Sequence, residues 1–295
     1  MTLPNLLIVG AAKSGTTSLH NYLNQHPDIF MCKPKEPHFL ISKEIGINRI
    51  PNAINKKRQY IDLFKSAKNK KYVGESSVLY LAYPNISIKN IKKHLNDQVK
   101  IIIMLRNPVQ RAYSGYQHVK RYNSVENLSF DQALKKSEFR YSNNSAITPA
   151  SRYLELGNYY KQVKLFKQKF EFVHVIIYDD YLNHFNIEME KVFNFLNLNK
   201  VYINTQTKHM VGGWEWNNLL FKKLLLENSI LKKIFKNLIP KKRYRKYLRD
   251  FILNMTTRSI QEMDPQTENW LKNYYKDDII KLSKLINRNL NHWIS

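Results

Sequence analysis

The chain has 295 residues, 43% of them hydrophobic, enough to bury a full core and too many for a disordered chain. Its one cysteine, Cys32, excludes an internal disulfide and a cysteine-based zinc cluster. The formal net charge of +25 fits an anionic partner (nucleic acid, a phosphate-bearing cofactor, an acidic glycan or a membrane surface), but lysine-rich compositional bias accounts for the excess equally well.

In chain order, the first element is "LLIVG", Leu6 to Gly10, a short apolar run ended by glycine that reads as a strand. A helix is expected over Thr16 to Asn24, with Leu19 and Leu23 on one face. Pro27, Pro34 and Pro37 punctuate an extended stretch through "MCKPKEPHFL". A second strand is expected near "KYVGES" and a helix over Ile86 to Leu95. "KIIIMLR", Lys100 to Arg106, is the clearest buried strand, and Pro108 then opens a helix at its first turn. Further helices are expected over Ser129 to Lys136, Tyr159 to Phe170 and Ile187 to Leu196, with the strand "FVHVIIY" between the last two. Such alternation implies a parallel sheet covered on both faces, whose ligands gather at the carboxyl ends of the strands.

The last part of the chain differs in character. After "HMVGGWEW" no strong strand is visible, only helical, lysine-rich sequence such as "LLFKKLLLENSILKKIFKNLI" and the basic patch "KKRYRKYLR". An amphipathic helix packed on the core accounts for this stretch; a helix lying on an anionic membrane surface is the alternative. Thr267 to Leu290 closes the chain as helix. Residues 1–295 are expected to form one domain, with an α/β core over 1–200 and a helical part over 201–295. No secretory leader and no run of about 18 apolar residues is visible, so a cytoplasmic protein, with peripheral membrane contact at most, is expected.

The chemistry concentrates in "GAAKSGTTSLHNYL". Gly10 and Gly15 have the spacing of a phosphate-gripping loop, but Lys13 precedes the second glycine, whereas the ATP-binding pattern places the lysine after it. A strand, a tight loop and a helix starting at Thr16 direct backbone N–H groups at an anion, and Ser14, Thr16, Thr17 and Ser18 add hydroxyls. An ordinary strand-to-helix turn would use similar residues. An ATPase or kinase also needs an acidic metal-binding residue after a later strand. Here that strand ends in "MLRNP", so Arg106 suggests a second anionic group instead.

Two motifs together resemble the sulfotransferases that use 3′-phosphoadenosine 5′-phosphosulfate. "GAAKSGTTSLHNYLNQHP" is similar to that family's 5′-phosphosulfate loop, and "IIIMLRNPVQRAYSGYQH" to its 3′-phosphate motif. The resemblance covers most of Leu6 to Leu198 and leans toward the carbohydrate-directed branch, heparan sulfate and bacterial members included. It implies a single α/β domain, P-loop nucleotide-kinase-like, with a central parallel sheet flanked by helices and a helical C-terminal portion.

By the same resemblance, Lys13 contacts the oxygen bridging phosphate and sulfate, and Ser14, Gly15, Thr16, Thr17 and Ser18 hold the 5′-phosphate. Arg106 and Ser114 bind the 3′-phosphate, and Glu36 in "KEPHFL" is the general base, with His38 on the acceptor side. Lys208, Gly212 and Gly213 are the candidates for a late loop closing over the cofactor. No metal is required. The implied acceptor is a hydroxyl, less readily an amine, of a glycan, polysaccharide or glycolipid.

This chain departs from the pattern at Ser76, where many members carry lysine, and at Ile41, where some carry an acidic residue; Lys33 or Lys35 is the candidate replacement cation. Glu75 reads as a site residue or a strand-end charge. His20 and His118 read as fillers of helix surfaces, and Arg111 as a brace for the Arg106 loop or, less favoured, as a residue paired on its own helix. Trp214 and Trp216 either cover the nucleotide or pack a loop. The competing functions are a P-loop nucleotide or small-molecule kinase and a non-catalytic nucleic-acid-binding protein; no recognisable nucleic-acid motif accompanies the charge, so no nucleic-acid partner is expected.

Overall fold

The computed structural model describes residues 2–122, 126–206, 213–217 and 255–295. Five strands form the main sheet: β1 (Leu6–Gly10), β2 (Ile29–Met31), β3 (Tyr72–Ser76), β4 (Lys100–Leu105) and β5 (Val173–Ile177). All pairings are parallel, in the order β2-β3-β1-β4-β5. The chain leaves β1 toward one edge, through β2 and β3, and then crosses to the other side for β4 and β5. The direction of winding therefore reverses between β1 and β4, and a crevice at the carboxyl ends of the strands opens at such a reversal.

The helices are α1 (Thr16–Leu23), α2 (Phe39–Ile45), α3 (Lys57–Asp62), α4 (Pro84–His94), α5 (Pro108–Tyr122), α6 (Phe130–Asn143), α7 (Tyr159–Lys169), α8 (Tyr178–Asn183), α9 (Phe185–Phe195) and α10 (Pro265–Ile286). The sheet is buried on both faces, which explains why its strands read as unbroken apolar runs. Successive side chains point to opposite faces. Leu6, Ile8, Ile102 and Met104 pack with Leu19 and Leu23 of α1 and with Val192 and Phe193 of α9. Leu7, Val9, Ile101, Ile103 and Leu105 belong to the opposite core, with Ile91 of α4, Phe166 of α7 and Tyr275 and Ile279 of α10.

The parallel, helix-flanked sheet agrees with the sequence-based expectation, and so do most helix positions. Ser129 caps α6 in a reciprocal arrangement with Gln132, and α6 runs on to Asn143, beyond the expected Lys136. Three elements differ. "KYVGES" is the third strand in chain order, because the short edge strand β2 precedes it. The stretch expected to stay extended through Leu40 turns into α2 at Phe39, whose ring stacks on Tyr60 at 4.3 Å between centroids. The C-terminal part is not wholly helical: β6 (Trp214–Trp216) pairs antiparallel with β7 (Thr257–Ser259). The lysine-rich stretch from "LLFKK" through "KKRYRKYLR" lies outside the described residues. Among the described residues, no helix is long and apolar enough to cross a membrane.

Candidate active site

A cleft of about 1100 Å³ lies at the carboxyl end of the sheet. Lys13, Gly15, Thr16, Thr17, Ser18, Glu36, His38, Arg106, Ser114 and Gly213 all line it. The sequence-nominated residues are thus brought together from three strand ends, one helix and one late loop. Lys208 and Gly212 lie outside the described residues.

The loop after β1 is built around Gly15, which sits at φ 86° as the residue before α1. A Cβ there would fall 2.7 Å from the Tyr178 ring, so both the backbone angle and the space demand glycine. No side chain caps α1 and its first turn holds no acidic residue, so its N-terminal N–H groups face the cleft without a protein partner of opposite charge. Ser14 is fully buried, with the Tyr159 hydroxyl beside its own. The nearby Tyr159 hydroxyl donates to the carbonyl of Arg106 at 3.0 Å, which leaves its oxygen able to accept from Ser14. A buried hydroxyl beside an uncapped helix and a lysine suits a phosphate-like group.

The loop after β4 joins this loop directly. Arg106 reaches toward the carbonyl of Lys13 at 3.5 Å, and its guanidinium lies 5.1 Å from the centre of the Tyr178 ring. Downstream, Gln110, Ser114, Gln117, His118 and Arg121 also line the cleft. Their spacing of four, three or four, and three residues puts them on one face of α5, a polar stripe running along the cleft. His118 is therefore not a filler of an outer helix surface, as its sequence context suggested. Burial, then the charges of Lys13 and Arg121, lower its pKa to about 4, so it stands neutral at physiological pH.

Lys13 has no carboxylate within ion-pair distance among the described residues. Burial lowers its pKa to about 8, and the nearby charges of Arg121, Arg106 and Lys35 act in the same direction against the opposing effect of Glu36. Several cations thus crowd one place with little acidic compensation, an arrangement that a polyanionic ligand would neutralise.

Glu36 faces this cationic side. Its backbone N–H donates to the Ser76 carbonyl at 3.0 Å. Lys35 Nζ lies 2.5 Å from one carboxyl oxygen, and His38 Nε2 3.4 Å from the other. Densely surrounded, the side chain still keeps 39% of its surface exposed. Burial pushes its pKa up, but hydrogen bonds and charge from His38 and Lys35 outweigh that and hold the carboxyl well below the usual range. Lys35 is therefore the cation that joins the site; Lys33 is exposed and outside the cleft lining.

Of the remaining nominated residues, Arg111 lines the cleft and the others stand behind it or brace its walls. Ser76 is buried and bonded to His20 Nδ1 at 2.8 Å, so His20 also lies inside rather than on a helix surface. Glu75 is completely buried and bonded to Tyr60, Ser77 and Tyr80. Arg111 is fully buried and ties α5 to the backbone carbonyl of Tyr153, not to the Arg106 loop it was expected to brace. Trp214 and Trp216 brace Arg121: the Trp214 carbonyl accepts from its guanidinium, whose carbon sits 4.3 Å from the Trp214 ring centre, and Trp216 Nε1 donates to the Arg121 carbonyl.

Comparison with known proteins agrees with this geometry. The family model described as "Sulfotransferase domain" matches residues 3–275. The chain belongs to the sulfotransferase domain family. A crystal structure of a sulfotransferase from Alicyclobacillus acidocaldarius is similar over all of both chains, with a TM-score of 0.76 and 28% identity. Mouse carbohydrate sulfotransferase 15 is 26% identical over 249 residues, covering 66% of this chain and 44% of the mouse protein. Human bifunctional heparan sulfate N-deacetylase/N-sulfotransferase 2 is 32% identical over 139 residues, covering 46% of this chain and 15% of that protein. This sulfotransferase-family chain thus spans less than half the length of either of these two relatives.

Proposed function

We propose that this chain transfers a sulfuryl group from 3′-phosphoadenosine 5′-phosphosulfate to a hydroxyl, less readily an amine, of a glycan or glycolipid. The observation that carries the reading is the meeting of the Lys13 and Arg106 loops where the sheet reverses its winding, beside an uncapped helix and the buried Ser14 hydroxyl. Lys13, Ser14, Gly15, Thr16, Thr17 and Ser18 would hold the 5′ side of such a donor, and Arg106 with Ser114 its 3′-phosphate. The donor supplies an activated sulfuryl group whose departure leaves negative charge on a phosphate oxygen. Lys13 provides a positive charge that counts most when that oxygen gains charge. Glu36 accepts the proton of the attacking group, and His38 and Lys35 hold its carboxylate ionised until then. The names of the mouse and human relatives support a saccharide acceptor.

The test is labelled sulfate transfer from the 3′-phosphoadenosine donor to a panel of neutral and acidic glycans and glycolipids. Transfer to a saccharide hydroxyl, abolished by Glu36→Gln, is the expected result. No transfer to any member, together with thermal stabilisation by ATP and magnesium but not by adenosine 3′,5′-bisphosphate, would replace this reading with a phosphotransferase.

A further inference from the structure

Glu75 has no cation within ion-pair distance among the described residues, although it is fully buried at the end of β3. A buried carboxylate is retained only if hydrogen bonds satisfy it. Three hydroxyls do so: Tyr60 at 2.5 Å, Ser77 at 2.7 Å and Tyr80 at 3.0 Å. Burial, and next the charge of Glu75 itself, push both tyrosine pKa values well up, so both remain O–H donors.

Two of these hydroxyls also accept. Ser77 Oγ takes the backbone N–H of His38 at 3.0 Å, and the Tyr80 hydroxyl takes that of Leu40 at 3.2 Å. His38 is the residue before α2 and Leu40 lies in its first turn, so neither N–H has an intrahelical acceptor, and no side chain of that segment caps the helix. Just upstream, Glu36 and His38 both hold left-handed backbone conformations, φ 65° and 50°, which non-glycine residues adopt at a cost. The His38 ring also meets Tyr80 edge-on, 6.2 Å between centroids. The turn that presents Glu36 and His38 to the cleft is thus fastened to the end of β3 by hydroxyls that converge on one carboxylate.

We propose that Glu75 is a positioning residue: through Ser77 and Tyr80 it fixes the Glu36-Pro37-His38 turn and so aims the carboxylate of Glu36. The inference deepens the reading of Glu36 as the base, and it rests on that reading for its effect on turnover. Its structural part, the hold of Glu75 over the Glu36 carboxyl, can be read without any substrate.

The experiment compares Ser77→Ala, Tyr80→Phe and Glu75→Gln with Tyr60→Phe in the full chain. Tyr60→Phe removes a bond to Glu75 that is not part of either relay and leaves a ring to stack on Phe39. The groups acting on Glu36 are Lys35 and His38 on its own loop, Lys13 from the β1 loop, His20 from α1 and His118 from α5. If the turn loosens, the hold of His38 and Lys35 weakens and the Glu36 pKa rises toward the ordinary carboxylate range.

Carboxyl-carbon NMR of Glu36 should show that upward shift in Ser77→Ala and Tyr80→Phe but not in Tyr60→Phe. In sulfate-transfer assays each relay variant should lose about 10-fold or more in kcat, as misplacement of a reacting group does. The acid limb of the profile should move to higher pH, with affinity for adenosine 3′,5′-bisphosphate retained. Combining Ser77→Ala and Tyr80→Phe should cost no less than Glu75→Gln, and adding Glu75→Gln to that pair should cost little more. Each single relay variant leaves Glu75 two of its three hydroxyl donors, and retained affinity for adenosine 3′,5′-bisphosphate shows that it folds. An unmoved Glu36 titration in both relay variants would overturn the proposal, as would an equal shift in Tyr60→Phe. The NMR result stands whether or not the acceptor is a saccharide, so a failed transfer assay counts against the proposed function alone.

Discussion

The two sides of the cleft treat charge in opposite ways. On the β1 and β4 side, Lys13, Arg106 and Arg121 crowd together, Lys13 has no ion-pair partner among the described residues, and the hydrogen bonds of Arg106 and Arg121 go to neutral groups: Gln110, Tyr122 and backbone carbonyls. On the β3 side, the Glu36 carboxylate is gripped by Lys35 and His38 before any ligand arrives. The first side bears unfavourable electrostatic interactions that a bound anion would relieve, which fits the binding and charge-stabilising role proposed for it. The second side holds a carboxylate ionised, as the proposed proton transfer to Glu36 requires. The contrast matters because each side then predicts a different kinetic signature.

The largest effect expected is on the base side. Glu36→Gln should lower kcat by about 10²–10⁴-fold, the range for loss of a general base, while affinity for adenosine 3′,5′-bisphosphate in calorimetry stays near wild type. Parallel loss of both would merge the two sides into one structural unit. On the cationic side, Lys13→Met should lower kcat by about 10²–10³-fold, as loss of a charge-stabilising donor does. Arg106→Ala should instead weaken binding of adenosine 3′,5′-bisphosphate by about 30-fold or more, at roughly 2 kcal/mol for a buried charge contact. Binding of adenosine 5′-monophosphate should change little, and an equal loss for both nucleotides would move Arg106 away from the 3′-phosphate.

A smaller and opposite effect concerns stability. The folded Lys13 pKa lies near 8, below its unfolded value, so between those values the unfolded chain binds more protons and stability rises with pH. Below pH 8 the charged lysine costs folding free energy. Lys13→Met should therefore raise the melting temperature at pH 7, with the gain shrinking as the pH passes 8 and approaches the unfolded value. A lower melting temperature at pH 7 would mean that the ammonium has a stabilising partner.

The residues that line the centre of the cleft were legible because their signals are local. Lys13 and Gly15 lie within a few residues of an apolar strand, and Arg106 follows the longest buried strand directly, so parallel pairing alone brings them to one end of the sheet. His118 and Arg121 were not legible in the same way. Their i+4 and i+7 relation to Ser114 was present, but which face of α5 meets the cleft depends on packing against the sheet and against the Trp214–Trp216 strand. The edge strand β2 has only three residues between prolines, and α2 follows a turn held by Ser77 and Tyr80 from almost 40 residues away. Tertiary partners, not propensity, decide both. Glu75 gave a charge at a strand end and nothing more, because its role lies in hydroxyls that only the fold gathers.

The central claim, that Lys13 stands where the polyanion binds, is tested most directly by the proton balance of binding. Calorimetric titration with adenosine 3′,5′-bisphosphate at pH 8, in buffers of different ionisation enthalpy, counts the protons taken up. A lysine titrating near pH 8 and raised by the bound anion should take up about half a proton there, and Lys13→Met should abolish that uptake. Binding with the same uptake in Lys13→Met, or no binding at all, would contradict the account.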